Sequence, residues 1–129
     1  MTRKNYTADN VSASGPYSHA IDSGDYIFFS GQTAMNGIEP LEEKVKGDIT
    51  EQTKASLAYL ESVMTAAGVT SDDVVKVNVY LTKMAYFDEM NEVYKGFFNA
   101  PYPARTCVAV YELPLGADVE IEVIVKKAK

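Results

Sequence analysis

The chain has 129 residues, 47% of them apolar and 23% charged, with a formal net charge of -6, a composition that suits one globular domain needing neither disulfides nor a structural metal. A single cysteine, Cys107, excludes an internal disulfide and points to a reducing compartment, the cytoplasm. Only two arginines, Arg3 and Arg105, stand against 18 acidic residues, which argues against a nucleic-acid surface built from clustered cations.

No apolar stretch follows Arg3 and Lys4 to make a signal peptide, and no window approaches the roughly 18 uninterrupted apolar residues of a spanning helix. One domain over residues 1–129 and no membrane partner are expected. Ser18–Ser23 and Tyr26–Gly31 read as two short strands joined at Gly24-Asp25, a two-residue hairpin signal. Met35–Gly47, with Gly37, Pro40, Glu42 and Glu43, reads as a surface loop. From Asp48 to Ala67, Ile49, Leu57, Leu60, Met64 and Ala67 recur mostly at helical steps. Asp48 with Glu51 forms a capping-box pattern, and Gly68 suits the left-handed residue past the helix end.

Val74–Leu81 alternates as a strand with Val75, Val77, Val79 and Leu81 on one face, which must lie on a helix layer. A second helix is expected from Ala85 or Tyr86 to about Phe98, with Phe87, Met90, Tyr94 and Phe97 in one stripe and Asn91 one turn after Phe87. Ala100-Pro101-Tyr102-Pro103 ends it. Arg105–Tyr111 and Val119–Lys126 close the chain as strands joined by the Leu113–Asp118 loop, and Lys126, Lys127 and Lys129 read as a solvated tail. The order predicts an α+β fold, two helices on one face of a mixed sheet. Tyr26, Phe28 and Cys107 alternate onto the other face, where a second chain is the simplest cover.

A lone His19, a lone Cys107 and scattered glycines offer no metal-ligand spacing and no phosphate loop, so neither metal nor organic cofactor is expected. Arg105 opens a strand beside apolar residues, where its planar fork could bind a carboxylate ligand or form a structural salt bridge with Glu120 or Glu122. Alternation places Arg105 and Cys107 on one strand face and Glu120 and Glu122 on one face of the last strand, and both faces could line a single pocket. Cys107 reads as a small buried thiol rather than a nucleophile, and His19 as an ordinary surface or interface residue. Tyr17, held after Gly15-Pro16, can project its phenol toward a neighbouring pocket.

Gly15-Pro16-Tyr17-Ser18, Phe29-Ser30-Gly31-Gln32, Asn91-Glu92-Val93-Tyr94, Pro103-Ala104-Arg105-Thr106-Cys107-Val108 and Glu120-Ile121-Glu122 occur in this order. The set resembles the Rid (YjgF) family of reactive intermediate deaminases, and most closely its RidA subgroup. That resemblance implies a chorismate-mutase-like fold assembled as a homotrimer, with pockets at the subunit interfaces. It implies hydrolysis of 2-imino acids, such as 2-iminobutanoate and 2-iminopropanoate delivered by pyridoxal-phosphate dehydratases, to 2-oxo acids and ammonia. In the same terms Arg105 would bind the substrate carboxylate, Glu120 would act on the water, and Tyr17 would close the pocket. Ser30, Gly31, Phe87, Asn91 and Cys107 would line it.

His19, Thr106 and Glu112 depart from the residues usual in that family. Two other functions remain to be weighed: a noncatalytic sensor of small carboxylates, and the ribonuclease or translation-inhibitor activity attached to some relatives. A carboxylate beside an anion-binding arginine is costly for pure capture of a carboxylate, whereas hydrolysis uses it.

Overall fold

In the computed structural model, which describes residues 3–13, 15–35, 42 and 45–127, the apolar alternation resolves into strands that bury one common face. In chain order the elements are β1 (Lys4–Tyr6), β2 (Ala20–Asp22), β3 (Tyr26–Phe29), α1 (Ile49–Ala67), β4 (Val74–Leu81), α2 (Phe87–Phe97), β5 (Ala104–Ala109) and β6 (Val119–Lys126). Short 3-10 turns precede β4, α2 and β6. The six strands form one mixed sheet in the order β1-β2-β3-β6-β4-β5. Among the described strands only β4 and β5 pair in parallel, joined through α2 as a parallel pair requires. The expected α+β class, a mixed sheet with two helices, is the architecture observed.

Local chemistry explains the boundaries. Gly24, at φ 112°, turns the β2–β3 hairpin, across which Ser23 N–H donates to the Tyr26 carbonyl at 2.8 Å. Asp48 accepts the Glu51 N–H at 3.0 Å to start α1, and Gly68, at φ 76°, ends it. Only half of the expected capping box forms there; a reciprocal box closes instead between Thr70 and Asp73, ahead of β4. The loop expected over Met35–Gly47 lies mostly outside the described residues.

Leu57, Leu60, Val63 and Met64 of α1 pack with Met90 of α2 over Ile27, Val77, Val79, Leu81, Ile121 and Val123 of the sheet. Three buried polar residues of α1 lie among them, each with its hydrogen bond made. Thr53 donates to the Ile49 carbonyl and Ser56 to the Gln32 carbonyl, while Gln52 ties the Val45 carbonyl to Asp118. Among the described residues no helix is long and apolar enough to cross a membrane.

The structure corrects four expectations, two of them through strand register. A bulge between Val74 and Lys76 turns Val74 into the core and leaves Val75 40% exposed. Cys107 pairs with Val79 on the helix-covered face, so it does not join Tyr26 and Phe28 on the open one. His19 is buried rather than superficial, its Nδ1 accepting from the Ala8 N–H at 3.4 Å. Lys127 is not a free tail residue: its Nζ lies 2.8 Å from Asp22 Oδ2.

Candidate active site

Two clefts hold most of the expected functional residues, Phe87 and Cys107 lining neither. The first lies beside β5. Because Arg105 is registered with Val77, it points to the helix side of the sheet, where α2 presents Phe87, Asn91 and Tyr94 along one face. Asn91 Oδ1 accepts a hydrogen bond from Arg105 Nη1 at 2.6 Å. The guanidinium carbon stands 4.6 Å from the Tyr94 ring centre and 5.4 Å from that of Phe87, within range for cation–π attraction. Arg105, Asn91 and Tyr94 border a cleft of about 330 Å³ that also takes in Lys95, Tyr102 and Pro103. Among the described residues no carboxylate pairs with Arg105, so the structural salt bridge with Glu120 or Glu122 does not form. Cys107 follows on the same face; burial pushes its thiol pKa up, and Arg105 only partly opposes this, which leaves sulfur unprimed as a nucleophile.

The second cleft, of about 350 Å³, includes Tyr17, Ser30, Gly31, Glu120 and Glu122. Ser30 anchors the Gly15–Ser18 turn: its hydroxyl donates to the Ser18 carbonyl at 2.6 Å and its N–H to the His19 carbonyl at 2.9 Å. Tyr17 is thereby carried to the rim. Gln32 and Ile121 exchange backbone hydrogen bonds at 2.9 and 3.1 Å, which draws the Ser30–Gly31 segment against β6. Gly31 is needed for closeness, since a Cβ there would fall 2.9 Å from Glu120 Oε2.

The two carboxylates of β6 differ. Glu122 Oε1 accepts from Tyr80 Oη at 2.6 Å and from Asn78 Nδ2 at 3.0 Å. The bond from Tyr80 to Glu122 is the main reason the Tyr80 phenol is pushed up to about 12. Glu120 has no hydrogen-bond partner among the described residues; burial, and then the charge of Glu122, raise its pKa above the ordinary carboxylate value. A half-buried acid of this kind can exchange a proton with a bound water.

The expected site residues therefore divide. Phe87, Asn91, Arg105 and Cys107 gather on the helix side, and Tyr17, Ser30, Gly31 and Glu120 on the open side. Glu120 and Glu122 pair with Tyr80 and Asn78 of β4, whereas Arg105 and Cys107 pair with Val77 and Val79. Opposite parity along one strand means opposite sheet faces, so one chain does not form the single pocket expected. Tyr94 was expected only as part of an apolar stripe; its spacing of seven from Phe87 and three from Asn91 puts it on their face of α2, and the structure sets that face against Arg105.

Comparison with known proteins adds to this geometry. A family model described as endoribonuclease L-PSP matches residues 7–127. A 2-iminobutanoate/2-iminopropanoate deaminase of Dermatophagoides farinae is 41% identical over 111 residues, 86% of this chain and 85% of that protein. The structure of YyfA from Yersinia pestis, a protein of the Rid family, is 35% identical with a TM-score of 0.88, over 98% of this chain and 100% of that one. The structure of E. coli TdcF with bound serine is 33% identical with a TM-score of 0.84, over 97% of this chain and 99% of that one. By sequence over nearly its whole length, and by fold, this chain belongs to the Rid (YjgF) family.

Proposed function

We propose that the protein hydrolyses 2-imino acids, 2-iminobutanoate and 2-iminopropanoate among them, to 2-oxo acids and ammonia, in pockets completed where copies of the chain meet in a homotrimer. The observation that carries this reading is the division of charge. Arg105 has no carboxylate partner among the described residues and lies in one cleft; Glu120, with its raised pKa, lies in another on the opposite face. A 2-imino acid carries its carboxylate and its electrophilic C=N carbon one bond apart, so both groups must reach one small molecule. A neighbouring copy covering the open sheet face, where Tyr26 and Phe28 of β3 are 40% and 46% exposed, supplies the missing half. The deaminase named from Dermatophagoides farinae, 41% identical, supports the same chemistry.

In this mechanism Arg105 binds the carboxylate through its fork and fixes the position of C2. Glu120 takes a proton from water as the water oxygen attacks C2 of the protonated imine, and the C=N electron pair moves to nitrogen. Glu120 returns that proton to the nitrogen of the tetrahedral carbinolamine. The C–N bond then breaks, ammonia leaves, and loss of the hydroxyl proton gives the 2-oxo acid. No cofactor and no covalent enzyme intermediate take part. Tyr17 closes the pocket, with Ser30, Gly31, Phe87, Asn91 and Cys107 around the substrate. Pyridoxal-phosphate-dependent dehydratases, which release 2-imino acids, are the class of enzyme that supplies it, in the cytoplasm.

The test couples the protein to a threonine dehydratase and follows 2-oxobutanoate with semicarbazide present to trap free imine. Wild type is expected to raise oxo-acid yield at the expense of trapped imine, while Arg105→Ala and Glu120→Ala lose the effect. Binding of 2-oxobutanoate through Arg105 without any hydrolysis would make the protein a carboxylate sensor instead. The ribonuclease activity in the family description gains nothing from a chain of net charge -6.

A further inference from the structure

We infer that Tyr94 is a positioning residue that fixes the plane of the Arg105 guanidinium and so sets how tightly the site holds its substrate's carboxylate; this rests on Arg105 being the carboxylate receptor proposed above. Arg105 sits on β5, at the edge of the sheet, with a long side chain that pays rotamer entropy whenever it is held in one place. Three residues of α2 hold it. Asn91 accepts from Nη1, Phe87 lies 5.4 Å away, and Tyr94 is the closer ring at 4.6 Å.

Tyr94 is itself immobilised. It is 5% exposed, and its ring is backed by Phe98 at 4.7 Å, which meets Phe97 edge-on at 4.9 Å. The ring therefore cannot swing away when the guanidinium moves. Its hydroxyl has no hydrogen-bond partner among the described residues, so the part of Tyr94 that acts on Arg105 is the face of the ring. With Nη1 bonded to Asn91 and the guanidinium carbon 4.6 Å over the Tyr94 ring, the edge formed by Nε and Nη2 is left to meet a carboxylate through two parallel hydrogen bonds. A receptor ordered in advance binds more tightly than one ordered by its ligand.

Tyr94→Phe, Tyr94→Leu and wild type separate this role from simple packing. Tyr94→Leu is expected to raise KM for the imine, and Kd for 2-oxobutanoate by calorimetry, about tenfold while kcat changes less than about threefold. Tyr94→Phe keeps the ring and is expected to hold both constants within about twofold of wild type. Arg105 is one of only two arginines, so its Nε–Hε resonance can be followed in side-chain-labelled protein. Its ring-current shift and slowed rotation are expected in wild type and Tyr94→Phe and lost in Tyr94→Leu.

KM and Kd unchanged in Tyr94→Leu, or a fall in kcat shared by both variants, would overturn the inference. If Tyr94→Leu does not fold, fluorinated phenylalanines at position 94 take its place: Kd rising with each fluorine supports the ring's role, and a flat series overturns it. If wild type neither hydrolyses imines nor binds 2-oxobutanoate, the functional reading fails. The Arg105 resonance then still decides whether Tyr94 orders the guanidinium.

Discussion

The two clefts are built in different ways. The Arg105 cleft comes from one contiguous stretch, the α2–β5 unit, in which a helix face and the strand that follows it hold the Arg105 guanidinium. The Glu120 cleft draws on three separated segments, around Tyr17, Ser30 and Glu120, pinned together by the Ser30–Ser18 contact and the Gln32–Ile121 bridge. The difference teaches that a fixed charge can be oriented by local packing, whereas tuning an acid takes burial, and burial takes distant parts of the chain. Substitutions in the two clefts should therefore fail differently, the first mainly in binding and the second mainly in chemistry.

The sharpest contrast is expected from Glu120→Gln. Removing the group proposed to move the proton should lower kcat about a hundred- to ten-thousandfold. Folding should not suffer. Because burial and Glu122 raise the Glu120 pKa, the folded chain favours the protonated form; ionisation weakens it progressively as pH rises through the raised value. Calorimetry across about pH 4 to 8 should then show Glu120→Gln gaining on wild type toward the alkaline end. An equal or lower Tm there would mean that Glu120 is a structural group.

On the other side, Arg105→Lys keeps the charge but loses the fork and much of the ring stacking, and is expected to raise KM about 10- to 100-fold. Unchanged imine hydrolysis would remove the bidentate role. Gly31→Ala should behave as an acid-side lesion although it alters no ionisable group, because its Cβ would lie 2.9 Å from Glu120 Oε2 and displace the carboxylate. A loss of about tenfold or more in kcat, with KM little altered, is the expected kinetic result.

The smallest effect expected is a shift of pH profile. Glu122→Gln removes the like charge beside Glu120, so the Glu120 pKa should fall toward the ordinary carboxylate range. The acid limb of kcat/KM should move to lower pH, because the base is then deprotonated sooner. The Tyr80 phenol, held at about 12 chiefly by its bond to Glu122, should titrate earlier in an ultraviolet pH scan.

Much of the fold was legible because local rules decide it. Asp48 and Gly68 mark the ends of α1, and Gly24 marks the hairpin turn. Features set by pairing were not. β1 carries no apolar alternation, and the bulge that exposes Val75 depends on its partner β6. The site shows the same limit. Alternation tells which residues share a face within a strand, so Arg105 was grouped with Cys107, and Glu120 with Glu122, correctly. It cannot give the phase between strands, and that phase puts the two groups on opposite sides of the sheet. Tyr94 was hidden for another reason: a buried aromatic on a helix stripe looks the same whether it faces leucine or a guanidinium.

The central claim is that a working site takes Arg105 from one chain and Glu120 from another. Mixing inactive Arg105→Ala and Glu120→Ala chains, by co-expression or joint refolding, tests it most directly. Random trimers of equal amounts should regain about a quarter of wild-type activity, since one site in each such fraction pairs an intact arginine with an intact acid. Mixed trimers, verified by native mass measurement, that remain inactive would contradict a site shared between chains.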